Sequence, residues 1–379
     1  MDFEPSPEHV AFRKVVREFA EAEIAPHAAE WDRDHHFPVE VVRKMGDLGL
    51  FGLPFPEEYG GSGSGLLTLC IAIEEIARVD ASLAITLEAG VSLGAGPIHR
   101  FGNEEQKARW LPDLVAGRTL GAFGLTEPEA GSDAGATRTR AELDGDEWVI
   151  NGEKVFITNS GTPITALVTV TARTGPAEIS AIVVPSGTPG MVVEPAYRKM
   201  GWHASDTHGL RFEDCRVPAG NLLGERGRGF RQFLAILDEG RVAIAAMAVG
   251  IAQGCLEQSV AYAGERQAFG RPIGANQGVA FRCADMAVAV EAARLLTYRA
   301  ASLRDRDRPF RREAAMAKLH ASEAAVDATR HATQIFGGYG YVDETPVSRF
   351  YRDAKVLEIG EGTSEIQRLL IARDLGLPL

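Results

Sequence analysis

Proton abstraction beside a bound substrate needs a carboxylate in a confined place. Glu361, in the segment EIGEGTSEIQR (358–368), has that setting between Gly360 and Gly362. The same acid also suits a helix start, where it offsets the positive end of the dipole and Thr363 or Ser364 supplies the cap. Both readings stand on these residues alone. Three further constellations carry ligand-binding chemistry. FGLTEPEAGSDAG (123–135) combines small residues, which let the backbone approach a planar ligand, with Thr126 and Ser132, whose hydroxyls can donate to ring heteroatoms. It reads equally as a Gly/Ser loop entering a strand. Arg266 in RQAFG (266–270) can grip a phosphate with paired N–H bonds, or merely favour the C-terminal end of a helix dipole. In QIFGGYG (334–340) a C-cap would need one glycine, and the surplus leaves room for a ligand backbone.

These residues must be positioned by several packed units, because 379 residues exceed what one hydrophobic core usually serves. Hydrophobic residues at 45% and charged residues at 24% are ordinary for a soluble globular chain. A net charge of -12 repels nucleic acid and anionic lipid, so neither is an expected partner. The basic stretch from Arg304 to Arg312 is interrupted by Asp305 and Asp307 and reads as a solvated loop between helices. Cys70, Cys215, Cys255 and Cys283 form no CxxC pair, which predicts buried free thiols in a reducing compartment and no metal site. The opening MDFEPSPEHV has no basic or apolar region of an export signal, and no apolar run looks long enough to span a bilayer; a cytoplasmic location is expected.

Three textures divide the chain. Helical spacing dominates from residue 8 to about 115, interrupted by GLPFPEEYGGSGSG (52–65), which reads as a surface connection. From about 117 to 220, short β-prone runs follow one another. EWVINGEKVFITNS (147–160) predicts a hairpin turning at Asn151-Gly152, and strands follow at 166–173, 179–185 and 190–195. Long alanine-rich helices then return, from about Phe230 past Tyr262, from Gln277 to Ser302 and from Pro309 to Phe336, with a shorter one after Gly362. The expected fold class is α+β multidomain: an N-terminal α-helical domain over 1–116, an antiparallel β-barrel or sandwich over 117–222, and a C-terminal four-helix bundle over 223–379.

Taken together, TEPEAGSDAG, the INGEKVFITN segment, LDEGR (237–241), ERQAFGRPI, QIFGGYGY and YRDAKVLEIGEGTSEIQR occur in the order seen in acyl-CoA dehydrogenases. The chain resembles that family over nearly its whole length, and its later half resembles the short-chain branch. The resemblance implies an FAD-dependent α,β-dehydrogenation of an acyl-CoA to a trans-2-enoyl-CoA, with electrons passed to an electron-transfer flavoprotein and a role in fatty-acid β-oxidation. It also implies a homotetramer.

The resemblance assigns roles position by position. Phe123, Leu125, Thr126 and Ser132, with Phe156, Ile157 and Thr158, would line the flavin. Arg266, Phe269 and Gln277, with Gln334, Ile335, Gly337 and Gly338, would bind the dinucleotide portion of FAD, partly across a subunit boundary. Thr363 and Glu365 would also touch FAD. Ser132, Asp238, Arg241 and Gly362 would contact the acyl-CoA, with Arg241 close enough to tune Glu361, the base. Some related enzymes carry the base on the long helix of the third domain, where this chain has Gly240; Glu239 beside it should point elsewhere, since adjacent helix positions lie about 100° apart. Two departures are Gly360, where many members have an aromatic residue, and Phe156, where others have tryptophan. Gly360 suggests a pocket that admits a branched or bulky acyl group. An oxidase or monooxygenase on the same scaffold usually lacks the glutamate, so Glu361 argues against one. The joint presence of base and flavin contacts argues against a non-catalytic binding protein.

Overall fold

The computed structural model describes residues 5–378. The first four residues of MDFEPSPEHV and the outer limits of the first and last expected domains lie outside them. Seven helices open the chain: α1 (Pro7–Phe19), α2 (Ala28–Asp34), α3 (Val39–Asp47), α4 (Gly65–Ala77), α5 (Ala81–Glu88), α6 (Gly96–Phe101) and α7 (Glu104–Val115). Their starts follow capping chemistry. Ser6 accepts from the His9 N–H ahead of Pro7, Asp80 caps α5, and Asn103 with Gln106 forms a reciprocal capping box on α7. A π-helical stretch (Ala89–Ala95) makes α5 and α6 one continuous apolar helix. By length and composition this helix, Ala81–Phe101, could cross a bilayer, which corrects the expectation that no apolar run is long enough. It is buried inside the protein, as a core helix is. The 52–65 segment is also more than a surface connection, because Leu53 and Phe55 are buried in the helical core.

The middle of the chain forms an eight-stranded sheet in the order β6-β7-β3-β2-β4-β5-β8, with β1 added beside β4. The strands are β1 (Leu120–Gly124), β2 (Arg140–Asp144), β3 (Glu147–Thr158), β4 (Thr165–Gly175), β5 (Glu178–Pro185), β6 (Met191–Val193), β7 (Thr207–Pro218) and β8 (Leu222–Leu223). Most neighbours are antiparallel, but β4 runs parallel to both β1 and β2, so the sheet is mixed where a wholly antiparallel one was expected. The Asn151-Gly152 hairpin does not form. β3 runs straight through it, the register against β7 slips between Ile150 and Gly152, and Asn151 bonds Asp214 across the pair. The tight turn lies earlier, at Gly145-Asp146 between β2 and β3, with Gly145 at φ 64° as a Gly-first two-residue loop requires. Trp148, Ile150, Ile157, Val170 and Phe212 build a core for this sheet separate from the helical one.

After the sheet, α8 (Gly229–Glu265), α9 (Gln277–Asp305), α10 (Arg311–Phe336) and α12 (Ser364–Asp374) form the expected bundle, with a further helix, α11 (Pro346–Ala354), that the sequence reading lacks. Buried alanines, among them Ala243, Ala246, Ala321 and Ala325, let α8 and α10 pack closely. The loop between α9 and α10 is less solvated than its charges suggest. The Asp305 carboxylate accepts from the Leu66 and Leu67 N–H groups at 2.7 and 2.9 Å and so caps α4 from across the fold. Cys70, Cys215 and Cys255 are buried free thiols, and Cys283 is half-buried.

Candidate active site

Glu361 sits on the short turn between α11 and α12 with φ 51°, a left-handed conformation uncommon for a residue with a side chain. Gly362 follows at φ 93°. Two donors and a cap hold this turn. Lys318 Nζ on α10 and Gln367 Nε2 on α12 each donate to the Gly362 carbonyl at 2.8 Å, and Thr363 caps α12 by accepting from the Ile366 N–H. The turn aims the Glu361 carboxylate at α8, where a Cβ built on Gly240 would stand 2.1 Å from Glu361 Oε2. The missing side chain at Gly240 is therefore the space the carboxylate occupies. Glu239, one position earlier, points away and pairs with Arg304 and Arg100. Gly360 is not demanded by crowding, since a Cβ there would meet only the Val356 carbonyl at 3.5 Å.

Both Glu361 carboxylate oxygens are buried without a hydrogen-bond donor among the described residues. Burial drives this carboxyl well above the usual range, with Glu88, Lys318 and Arg241 each opposing that rise. Arg241 is itself buried and ion-paired with Asp238 one turn earlier on α8. Burial lowers the proton affinity of Lys318 to about 8. Sequence reasoning missed Glu88, Lys318 and Gln367. Glu88 carried a legible signal, being the only ionisable residue between Ala81 and Ile98. A charge in an apolar stretch is costly to bury unless something compensates it.

The expected flavin-lining residues come together at one end of the sheet. Phe123 on β1 stacks on Phe233 of α8 with ring centroids 3.9 Å apart. The Val155 N–H donates to the Thr126 carbonyl at 2.9 Å, tying the 123–126 and 156–158 segments together. Lys154, fully buried, donates to the Leu125 carbonyl, Glu127 and Thr171 and fixes the same junction. Phe156 lies at φ 61° with its ring 66% exposed, while Ile157 is buried and Thr158 half-buried. Ser132 is exposed on the loop after β1.

Arg266, Ile335, Gly337 and Gly338 line a cavity of about 590 Å³ between the ends of α8 and α10. A Cβ on Gly337 or Gly338 would meet nothing within 4 Å, so the turn leaves its backbone open. Phe269, Gln277 and Gln334 are exposed outside that lining, as is Glu365 beside the α12 start. These features fit FAD. The junction of the 123–126 and 156–158 segments suits the isoalloxazine ring, and the open glycine turn beside the Arg266 guanidinium suits the pyrophosphate. A further cavity of about 710 Å³ has an apolar wall of Leu66, Leu69, Val91 and Ile236 and a rim that includes Arg100, Arg304, Arg308 and Arg311.

Comparison with known proteins bears on this geometry. Family models described as the acyl-CoA dehydrogenase N-terminal, middle and C-terminal domains match residues 6–118, 122–215 and 227–376. The chain is 52% identical to "Probable acyl-CoA dehydrogenase YngJ" of Bacillus subtilis, over 99% of this chain and 100% of that protein. It is 49% identical to the mitochondrial short-chain specific acyl-CoA dehydrogenase of Mus musculus, over 97% of this chain and 90% of that one. The solved structure of butyryl-CoA dehydrogenase from Megasphaera elsdenii superposes with a TM-score of 0.97 at 43% identity, covering all of both chains.

Proposed function

The chain belongs to the acyl-CoA dehydrogenase family of FAD-dependent oxidoreductases, and from that premise we propose that Glu361 is the base that removes the α-proton of the bound thioester. FAD, when bound, supplies the acceptor for the hydride leaving the β-carbon, and the product is a trans-2-enoyl-CoA. The observation that carries this reading is the placement of Glu361: a carboxylate with both oxygens buried and without donors, in the notch left by Gly240.

A thioester α-hydrogen is too weakly acidic for an ordinary carboxylate. Two features of the chain address this. Burial raises the proton affinity of Glu361. Its own backbone N–H, on a turn held by Lys318 and Gln367, is the proposed donor to the thioester oxygen as charge develops there. Lys318 and Arg241 oppose the rise and keep the carboxylate available near neutral pH. The cavity walled by Leu66, Leu69, Val91 and Ile236 suits an acyl chain, and its arginine rim suits an anionic CoA. The similarity to short-chain enzymes favours short acyl groups in fatty-acid breakdown. The proposed electron acceptor is an electron-transfer flavoprotein. The proposed assembly is a homotetramer in which Phe269, fully exposed in a single chain, helps complete a neighbour's FAD site.

The test is anaerobic mixing of the FAD-loaded protein with butyryl-CoA, followed by bleaching of the flavin band. Glu361→Gln should retain FAD and lose dehydrogenation by at least ~10³-fold, since a required general base is gone. Near-normal bleaching in that variant refutes the assignment.

A further inference from the structure

Glu88, the last residue of α5, is fully buried, and neither of its carboxylate oxygens has a donor. Its one strong neighbour is Glu361, a half-buried residue whose two carboxylate oxygens are likewise buried without a donor among the described residues. Four acceptor oxygens thus lie together in a dry site. Two carboxylates cannot both stay ionised at close range away from water, and a single proton shared between them gives each a partner. Resting on the reading of Glu361 as base, we propose that Glu88 is its neutral companion, a positioning residue that donates a hydrogen bond to the Glu361 carboxylate.

The surroundings decide which member keeps the proton. Acting on the pair are Arg241 from α8, Lys318 from α10 and the Ser92 hydroxyl from the π-helical stretch after Glu88; Asp238 and Arg311 act on Arg241, and Glu358 and Glu365 act on Lys318. The two cations bear on Glu361 and stabilise its charged form. Glu88 has no cation of its own; burial and the Glu361 charge both drive its proton affinity well up, and Ser92 opposes them. Glu88 therefore holds the proton, and Glu361 is the carboxylate. When Glu361 takes the α-proton, the pair passes from one net negative charge to none, so the buried site never carries two.

The experiment compares FAD-loaded wild type, Glu88→Gln and Glu88→Leu by the pH dependence of kcat/KM with butyryl-CoA. Gln keeps a donor, so its acid limb should coincide with that of wild type. Leu removes the donor, and its acid limb should move up by about one pH unit, the effect of one lost hydrogen bond to a charged acceptor. A second readout needs no turnover. Infrared difference spectra at neutral pH, wild type minus Glu88→Gln and Glu361→Gln minus its double variant with Glu88→Gln, should each show a protonated carboxyl C=O stretch; the subtraction cancels the contribution of other buried acids such as Asp353. The proposal is overturned if both Glu88 variants keep the wild-type acid limb, if the Gln variant's limb falls (which would mean an ionised Glu88), or if that infrared band is absent from the wild-type difference spectrum. Should Glu88→Leu fail to fold, the infrared comparison with Glu88→Gln decides. Failure of the base assignment itself would appear separately, as retained turnover in Glu361→Gln.

Discussion

Gly240→Ala isolates the geometry of the proposed base from the stability of the fold. The new methyl carbon would stand 2.1 Å from Glu361 Oε2 and 3.0 Å from its Cδ. Ordinary contact begins at 3.4 Å, so the carboxylate must retreat by about 1.3 Å. The retreat costs the fold little, because the displaced atoms are the end of a flexible side chain. Gly240 lies inside the 37-residue helix α8, where alanine is favoured over glycine by roughly 0.5–1 kcal/mol. Folding stability should therefore hold or rise slightly. Catalysis should not, since misplacing a reacting group by about 1 Å costs on the order of 100-fold. The assay is the anaerobic rate of flavin reduction at saturating butyryl-CoA, with a thermal melt and the FAD content measured on the same sample. A variant that melts at or above the wild-type temperature, keeps its FAD and reduces it roughly 100-fold more slowly fits the notch geometry. Reduction at the wild-type rate would refute it, because the base would then not depend on the space at Gly240.

Two further outcomes follow from buried charges elsewhere. Lys154→Met strips Glu127 of a partner at 2.7 Å and frees the Leu125 carbonyl, so urea denaturation should show a loss of about 3 kcal/mol, and FAD should be retained less well on gel filtration. Asp353, buried beside Asp80, has its carboxyl pushed up to about 7 by burial first and by that neighbour next. Its folded value lies above the unfolded one of about 4, so the native state binds the extra proton and stability is lost as pH rises from about 4 through 7. Asp353→Asn can still accept the Trp202 N–H and carries no charge, so it should be stabilised over wild type at pH ~8 by up to about 4 kcal/mol and nearly match it at pH ~4. An equal change in melting temperature at both pH values would count against the buried-charge account.

What was legible in the sequence was what local chemistry decides. The helix expected from Gln277 to Ser302 forms as Gln277–Asp305, and Thr363 caps the last helix as its side chain predicts. Asn151-Gly152 misled because local turn chemistry lost to a tertiary contact. A Cβ on Gly152 would stand 2.6 Å from Thr139 Cα, and its φ of 145° suits glycine, so this residue serves a close approach of strands inside a bulge. Strand β7 was overlooked because THGLRFEDCRVP alternates buried and exposed positions with charges on its outer face, which dilutes the apolar signal.

The base illustrates the limit more sharply. Glu361 between two glycines was visible, yet what suits it to the proposed role of base comes mostly from residues far away in the chain. Gly240 supplies space, Lys318 and Gln367 fix the turn, and Glu88 is the proposed neutral companion. A left-handed conformation at a non-glycine residue costs roughly 1–2 kcal/mol. Glycine at 361 would remove that cost, and would remove the carboxylate with it. The strain sits at the one position on this turn where a side chain is required, while Gly362 relieves the neighbouring position, also at positive φ. Backbone strain retained at a residue whose side chain ends in a dry notch, beside a second acid without a cation of its own, is what a positioned general base requires. A helix-start carboxylate would need none of it, and Thr363 already provides the cap.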